Sequence, residues 1–232
     1  MPKAKKTTTS IKTTNNTSRA KNYGGKFKLE WKNSAQKLAW IEFQKHDIVF
    51  LTGCPGTGKT HLAMAFAITE VLERKKKKIV LTRPIVEAGE KLGYLPGEFA
   101  DKVHPYMRPC LNIVDKMTGG DIASKELISK AISIEPVAYM RGMTFEDSIC
   151  IFDEAQNASF KQLKMFLTRF DENSKLIITG DTKQSDLHGP VALADVMEKL
   201  QTLKGVSSLE FGRDSIVRHP LVAEIVDRLE EE

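Results

Sequence analysis

A chain of 232 residues, 41% hydrophobic and 28% charged, is long enough to bury the core of one α/β domain and still carry a tail. No uninterrupted apolar run approaches the roughly 20 residues of a membrane span, and no charged start leads into an apolar signal core. A soluble, cytoplasmic protein with no membrane partner is therefore expected. The formal charge of +5 belongs to one end: residues 1–28 hold eight basic side chains and no acid, which leaves 27 of the 35 basic residues against 30 acids in the remainder. Cys54, Cys110 and Cys150 are scattered without metal-ligand spacing and read as reduced thiols.

Residues 1–28 are rich in Thr, Ser, Asn and Lys with almost nothing to bury, so a disordered basic tail is expected there. Such a tail can hold a nucleic-acid backbone through counterion release, or simply keep the chain soluble. Residues 29–232 read as one domain of alternating elements. A helix at about 34–45 precedes a strand at 47–52. A helix at 60–74 and a strand at 79–83 follow. Further strands fit 148–153, 175–180 and 206–211, and further helices 159–170, 189–203 and 220–230. The interval 84–147 has no clear rhythm and reads as an insertion of helices with a hairpin or loop. Alternation of this kind requires a single parallel sheet covered by helices on both faces.

The first strand runs into Gly53, Cys54, Pro55, Gly56, Thr57, Gly58, Lys59 and Thr60, and a helical pattern opens at Thr60. Strand, glycine-rich loop and helix together make the context of a phosphate-binding loop and set this stretch apart from a chance Gly-Pro-Gly turn. The glycines let successive N–H groups turn toward phosphate oxygens, and the helix N-terminus adds partial positive charge. Lys59 would reach the β and γ phosphates of ATP, and the Thr60 hydroxyl would hold Mg²⁺. The apolar run 148–152 ends in Asp153 and Glu154. At the C-terminal end of a parallel strand, Asp153 is placed to share Mg²⁺ with Thr60, and Glu154 to orient and deprotonate an attacking water. The alternative is two acids that merely end a strand before a helix cap.

Several blocks carry a family resemblance. Thr82-Arg83-Pro84-Ile85-Val86-Glu87-Ala88-Gly89-Glu90-Lys91-Leu92-Gly93-Tyr94-Leu95-Pro96-Gly97 is the longest. Ala138-Tyr139-Met140-Arg141-Gly142, Asp153-Glu154-Ala155-Gln156-Asn157, Thr179-Gly180-Asp181-Thr182-Lys183-Gln184-Ser185-Asp186-Leu187 and Val217-Arg218-His219-Pro220-Leu221-Val222 accompany it. Together with the phosphate loop, these blocks closely resemble the PhoH family over about residues 33–222. The resemblance implies a P-loop ATPase of the stand-alone type, with a core similar to one RecA-like domain of superfamily-one helicases. It also implies an association with phosphate starvation and with RNA or DNA handling. No nuclease domain is recognisable.

The resemblance assigns further roles. Gln184 matches a helicase-like Gly-Asp-x-x-Gln pattern, in which the amide senses the γ-phosphate or the attacking water; a polar-turn residue is the ordinary reading. Gln36 resembles the adenine-reading glutamine of helicase-like ATPases, though it equally suits the first turn of an amphipathic helix. Helicases of superfamily one place nucleotide between two such domains, and this chain has one. An arginine finger would then come from a neighbouring subunit, with Arg218 the first candidate and Arg141 the second. Arg218 would otherwise be a helix-start residue in a surface ion pair. Head-to-tail contact of that kind closes into a ring, with a homo-hexamer as the natural hypothesis.

Arg83, Lys91, Lys102, Arg108 and Lys116 would supply backbone contacts to RNA or single-stranded DNA in such a ring, with the basic run 74–78 as another candidate. Few aromatics are interleaved, so phosphate contacts outweigh base stacking. His61 and His104 lack partners at a telling spacing and read as packing or surface residues. The leading expectation is an Mg²⁺-dependent ATPase that translocates on or unwinds RNA or DNA. The alternative is an ATP-driven switch acting on a protein partner.

Overall fold

The computed structural model describes residues 31–84, 99–182 and 191–217 together with residue 228, and side chains in 99–106 lie outside the description. The expected basic tail and the helix expected at 220–230 therefore fall outside the described residues, apart from residue 228. Six strands form one sheet: β1 (Ile48–Gly53), β2 (Lys78–Thr82), β3 (Ile132–Ile134), β4 (Ser148–Phe152), β5 (Lys175–Thr179) and β6 (Val206–Phe211). Their order is β3-β2-β4-β5-β1-β6, and every pairing is parallel. The helices are α1 (Ser34–Lys45), α2 (Lys59–Leu72), α3 (Phe99–Thr118), α4 (Ile122–Ala131), α5 (Phe160–Leu167) and α6 (Ala192–Leu200).

Because both faces of a parallel sheet are covered, its central strands must be apolar at successive positions rather than alternating ones. β4 shows the result: Ile149 and Ile151 point into one core and Cys150 and Phe152 into the other. The first core lies under α1 to α4, where Phe66 meets both Phe43 and Trp40 at ring centroid distances of 5.0 and 5.1 Å. The second lies under α5 and α6, where Phe166 packs edge-on against Phe152. Local chemistry sets the helix starts. Asn33, Asp121 and Ser159 accept backbone N–H groups at the N-termini of α1, α4 and α5, and Ser159 with Gln162 completes a capping box.

The insertion differs from its sequence reading in one respect. Its described part holds α3, α4 and then β3, which joins the edge of the sheet in parallel with β2 through Ile79↔Ile132 to Leu81↔Ile134. No hairpin occurs among the described residues. A three-residue strand, Ile-Ser-Ile, leaves too short a pattern to separate from the end of the preceding helix, and its pairing with β2 is non-local. Among the described residues no helix is long and apolar enough to cross a membrane.

Phe66 is 1% exposed and joins the aromatic cluster to the helix that carries the phosphate loop. Phe66→Ala is expected to cost about 3–5 kcal/mol of stability. Urea unfolding followed by circular dichroism should show the midpoint falling at an unchanged slope.

Candidate nucleotide site

Parallel strands present all their C-terminal ends at one edge, and the order β4-β5-β1 brings three of those ends side by side. The loop after β1 is shaped by glycine: Gly53, Gly56 and Gly58 have φ of 113°, 80° and 86°. A Cβ at Gly53 would stand 2.1 Å from the Phe211 carbonyl oxygen, so close approach of β6 as well as backbone angle requires glycine there. Gly58 caps α2 without any side-chain hydrogen bond, so the N–H groups of the first helical turn face the loop with no side-chain acceptor. Cys54, Pro55, Gly56 and Thr57 form the loop itself, tied by a 2.9 Å hydrogen bond from the Thr57 hydroxyl to the Cys54 carbonyl.

The Lys59 ammonium donates to the carbonyls of Gly53 and Cys54 at 2.6 and 2.8 Å. Burial lowers its pKa from the ordinary lysine value, against the opposing pull of Asp181, Glu154, Cys54 and Asp153.

Asp153 follows β4, is 2% exposed, and contacts three other side chains of the site. Its Oδ1 accepts from the Thr60 hydroxyl at 2.7 Å and from the Thr179 hydroxyl at 2.5 Å, and Cys110 Sγ stands 3.8 Å from Oδ2. Burial, followed by the negative charge of Asp153, pushes the Cys110 thiol up, so it stays protonated and donates. A carboxylate and a hydroxyl oxygen in contact are hard donors of the kind that suit Mg²⁺, which takes one or two protein oxygens and fills its remaining positions with water and phosphate. Asp153 and Thr60 are the residues that would hold it.

Glu154 sits in the left-handed region at φ 54°, which turns its side chain away from the path of the strand. Its Oε2 accepts from Gln156 Nε2 at 2.7 Å, and its Oε1 lies 3.4 Å from Arg83 Nη2. The Gln156 carbonyl oxygen accepts the Asp181 N–H at 3.1 Å, fixing the amide so that its NH₂ faces Glu154. Gln36 is nearly buried. It donates to the Thr57 carbonyl at 3.2 Å and accepts the Lys32 N–H at 2.9 Å, bracing the phosphate loop from below. The C-terminal stretch touches the same loop, since Val217 N–H donates to the Gly56 carbonyl at 3.1 Å.

The structure thus gathers Gln36, the loop from Gly53 to Thr60, Asp153 and Glu154, while Gln184 and Arg218 lie outside the described residues. Of the cations expected to meet nucleic acid, Arg83 stands at this edge beside Glu154, and Lys91 and the Lys102 side chain lie outside the description. Arg108 is exposed on α3, and Arg141 is exposed after a short 3-10 turn at Val137–Tyr139. The basic run 74–78 lies at the opposite pole, where Lys75 pairs with Glu70 and Glu73, Lys77 with Asp147, and Lys76 bonds Asn173. An open groove of about 700 Å³ at that pole is lined by mutually compensating charges such as Asp47, Glu70, Lys76 and Lys175, and is not the phosphate site. Thr179 and Cys110 escape sequence reasoning. A hydroxyl residue closing an apolar strand just before Gly-Asp could have marked Thr179, whereas one cysteine within a helix gives no signal.

Comparison with known proteins adds the family. The family model described as PhoH-like protein matches residues 28–230. The chain belongs to the PhoH-like protein family. The PhoH-like protein of Bacillus subtilis is 44% identical over 209 residues, covering 89% of this chain and 65% of that protein. Protein PhoH of Escherichia coli K12 is 38% identical over 195 residues, covering 82% of this chain and 55% of its own length. The chain thus spans about half to two thirds of these curated relatives. Among solved structures, the large terminase of a thermophilic bacteriophage matches with a TM-score of 0.60 at 12% identity, over 88% of this chain and 51% of the terminase. Another crystal form of that terminase, in complex with ADP, gives 0.56 over 86% and 50%. At this identity the likeness concerns the fold alone.

Because burial depresses the Lys59 pKa in the folded state, the charged side chain costs stability at neutral pH, and the cost fades as pH rises through the folded value. Lys59→Met should therefore leave the melting temperature of the nucleotide-free protein unchanged or slightly raised, while abolishing the upward shift on adding Mg·ATP. Thermal unfolding with and without nucleotide reads both effects.

Proposed function

We propose that this protein is an Mg²⁺-dependent ATPase whose turnover is coupled to RNA or single-stranded DNA. The observation that carries the reading is the convergence on Asp153 of the Thr60 hydroxyl from the phosphate-loop helix and the Thr179 hydroxyl from β5, with Glu154 as the next residue. The phosphate loop and the start of α2 hold the triphosphate through backbone N–H groups, and Lys59 exchanges its two loop carbonyls for phosphate oxygens. Mg²⁺, when bound, supplies charge neutralisation on the phosphate oxygens. Glu154 accepts the proton of the attacking water, and Gln156 fixes the carboxylate that does so. Gln184 follows Gly180-Asp181 in the sequence, and its amide senses the γ-phosphate. Gln36 contacts adenine with the donor and lone pair that its present bonds leave over, or else serves as the brace of the loop.

A nucleic-acid substrate is supported by the eight cations of residues 1–28 and by Arg83 at the nucleotide edge. Translocation or unwinding, a homo-hexameric ring and the phosphate-starvation association remain parts of the same proposal. The test is steady-state ATP hydrolysis with and without single-stranded RNA and DNA at low and moderate salt, with Glu154→Gln as control. Stimulation by nucleic acid is expected, with the variant reduced by at least about a hundredfold. Turnover indifferent to both polymers would move the reading to a switch acting on a protein partner.

In a ring, Arg218 would reach the γ-phosphate of the neighbouring subunit. A second reading has its own observation: the Val217 N–H bonded to Gly56 brings the main chain just before Arg218 to the phosphate loop of its own subunit. Arg218→Ala should lower turnover by about a thousandfold while sparing ATP binding in either case. Mixing it with Lys59→Met separates the two, because activity regained in the mixture requires delivery between subunits and none is regained if the arginine acts within its own.

A further inference from the structure

Arg83 is the residue that leaves β2 and opens the insertion, yet its guanidinium lies 3.4 Å from Glu154 Oε1. The adjacency follows from the sheet: β2 and β4 pair in register through Thr82↔Phe152, and the Asp153 N–H continues the ladder by donating to the Thr82 carbonyl at 2.9 Å. Arg83, the first residue beyond β2, and Glu154, the second beyond β4, are thereby brought together at the same edge. Both oxygens of the Glu154 carboxylate then carry a donor: Gln156 on Oε2 at 2.7 Å and Arg83 on Oε1. The two contacts are unequal. Gln156 is nearly buried and locked by the Asp181 N–H, whereas Arg83 and Glu154 are 26% and 37% exposed and their separation is long for a charged hydrogen bond.

A water about to be deprotonated must itself donate to one of the Glu154 oxygens, and Oε1 is the one that can be freed. A guanidinium favours phosphate diesters as bidentate partners, so a nucleic-acid backbone reaching this edge would compete for Arg83. We propose that the Arg83–Glu154 pair restrains the general base, and that a nucleic-acid phosphate drawing Arg83 away releases Glu154 for hydrolysis. Arg83 is thus a positioning residue that reports bound polymer to the nucleotide site. The inference rests on the ATPase reading above and adds to it the route by which polymer stimulates turnover.

The test compares the full-length wild type, Arg83→Gln and Arg83→Lys in steady-state ATP hydrolysis, with and without poly(U) and oligo(dT). Without polymer, Arg83→Gln is expected to raise kcat about fivefold, with KM for ATP unchanged and further stimulation by polymer lost. Arg83→Lys, which keeps the cation, should restore a low basal rate and part of the stimulation. Melting temperature and ADP binding of both variants check that the fold is intact. An Arg83→Gln basal rate equal to or below that of the wild type, including a dead enzyme, overturns the restraint. Wild-type turnover indifferent to both polymers overturns the nucleic-acid reading and the identity of the releasing ligand, while the basal rate of Arg83→Gln still decides whether Glu154 is restrained.

Discussion

The candidate nucleotide site hangs on one buried carboxylate. Asp153 is 2% exposed and accepts hydroxyl hydrogen bonds from two separate elements, Thr60 at the start of α2 and Thr179 at the end of β5. A buried charge is tolerated only where hydrogen bonds compensate it, so the side chain ties three chain segments to one point. The thiol of Cys110 adds a fourth segment, α3 of the insertion. A shift in any of them is felt where Mg²⁺ and phosphate would sit.

Sheet order makes this convergence possible. β5 lies between β1 and β4, so the strand that feeds the phosphate loop and the strand that delivers Asp153 are two spacings apart, about 10 Å. Across that separation Thr60 from the loop side and Thr179 from the strand between both reach Asp153. The same geometry places β2 on the far side of β4, which is how Arg83 comes to face Glu154. The helices serve the arrangement: α1 braces the loop through Gln36, and the aromatic cluster of Trp40, Phe43 and Phe66 locks α1 to α2.

Charge is distributed in keeping with this polarity. At the pole away from the site, Lys75, Lys76 and Lys77 of the basic run 74–78 are matched by Glu70, Glu73, Asn173 and Asp147, so these three cations are engaged locally. At the nucleotide edge Lys59 stands among Asp153, Glu154 and Asp181, a mixture of charge that a bound metal and polyphosphate would rearrange. Arg83, paired with Glu154, adds a further cation at that edge.

Much of this is legible in the sequence. The glycine-rich loop after β1, the Asp153-Glu154 pair at the end of β4, α1 and five of the six strands follow from local signals: glycine at positions that need positive φ, unbroken apolar runs for buried parallel strands, and helical periodicity. The observed α5 and α6 are a few residues shorter than their periodic patterns, since helix ends depend on caps and contacts more than on period. What the tertiary structure alone decided is adjacency. No pattern within β3 distinguishes three apolar-leaning residues from a helix end until β2 offers its edge. Nothing near Thr179, Cys110 or Arg83 in the chain says that they will meet Asp153 and Glu154. Hydrophobic period and turn chemistry are local and can be read along the chain, whereas strand order is set by packing between segments tens of residues apart, and the contacts that hold Asp153 and Glu154 exist only once that order is chosen.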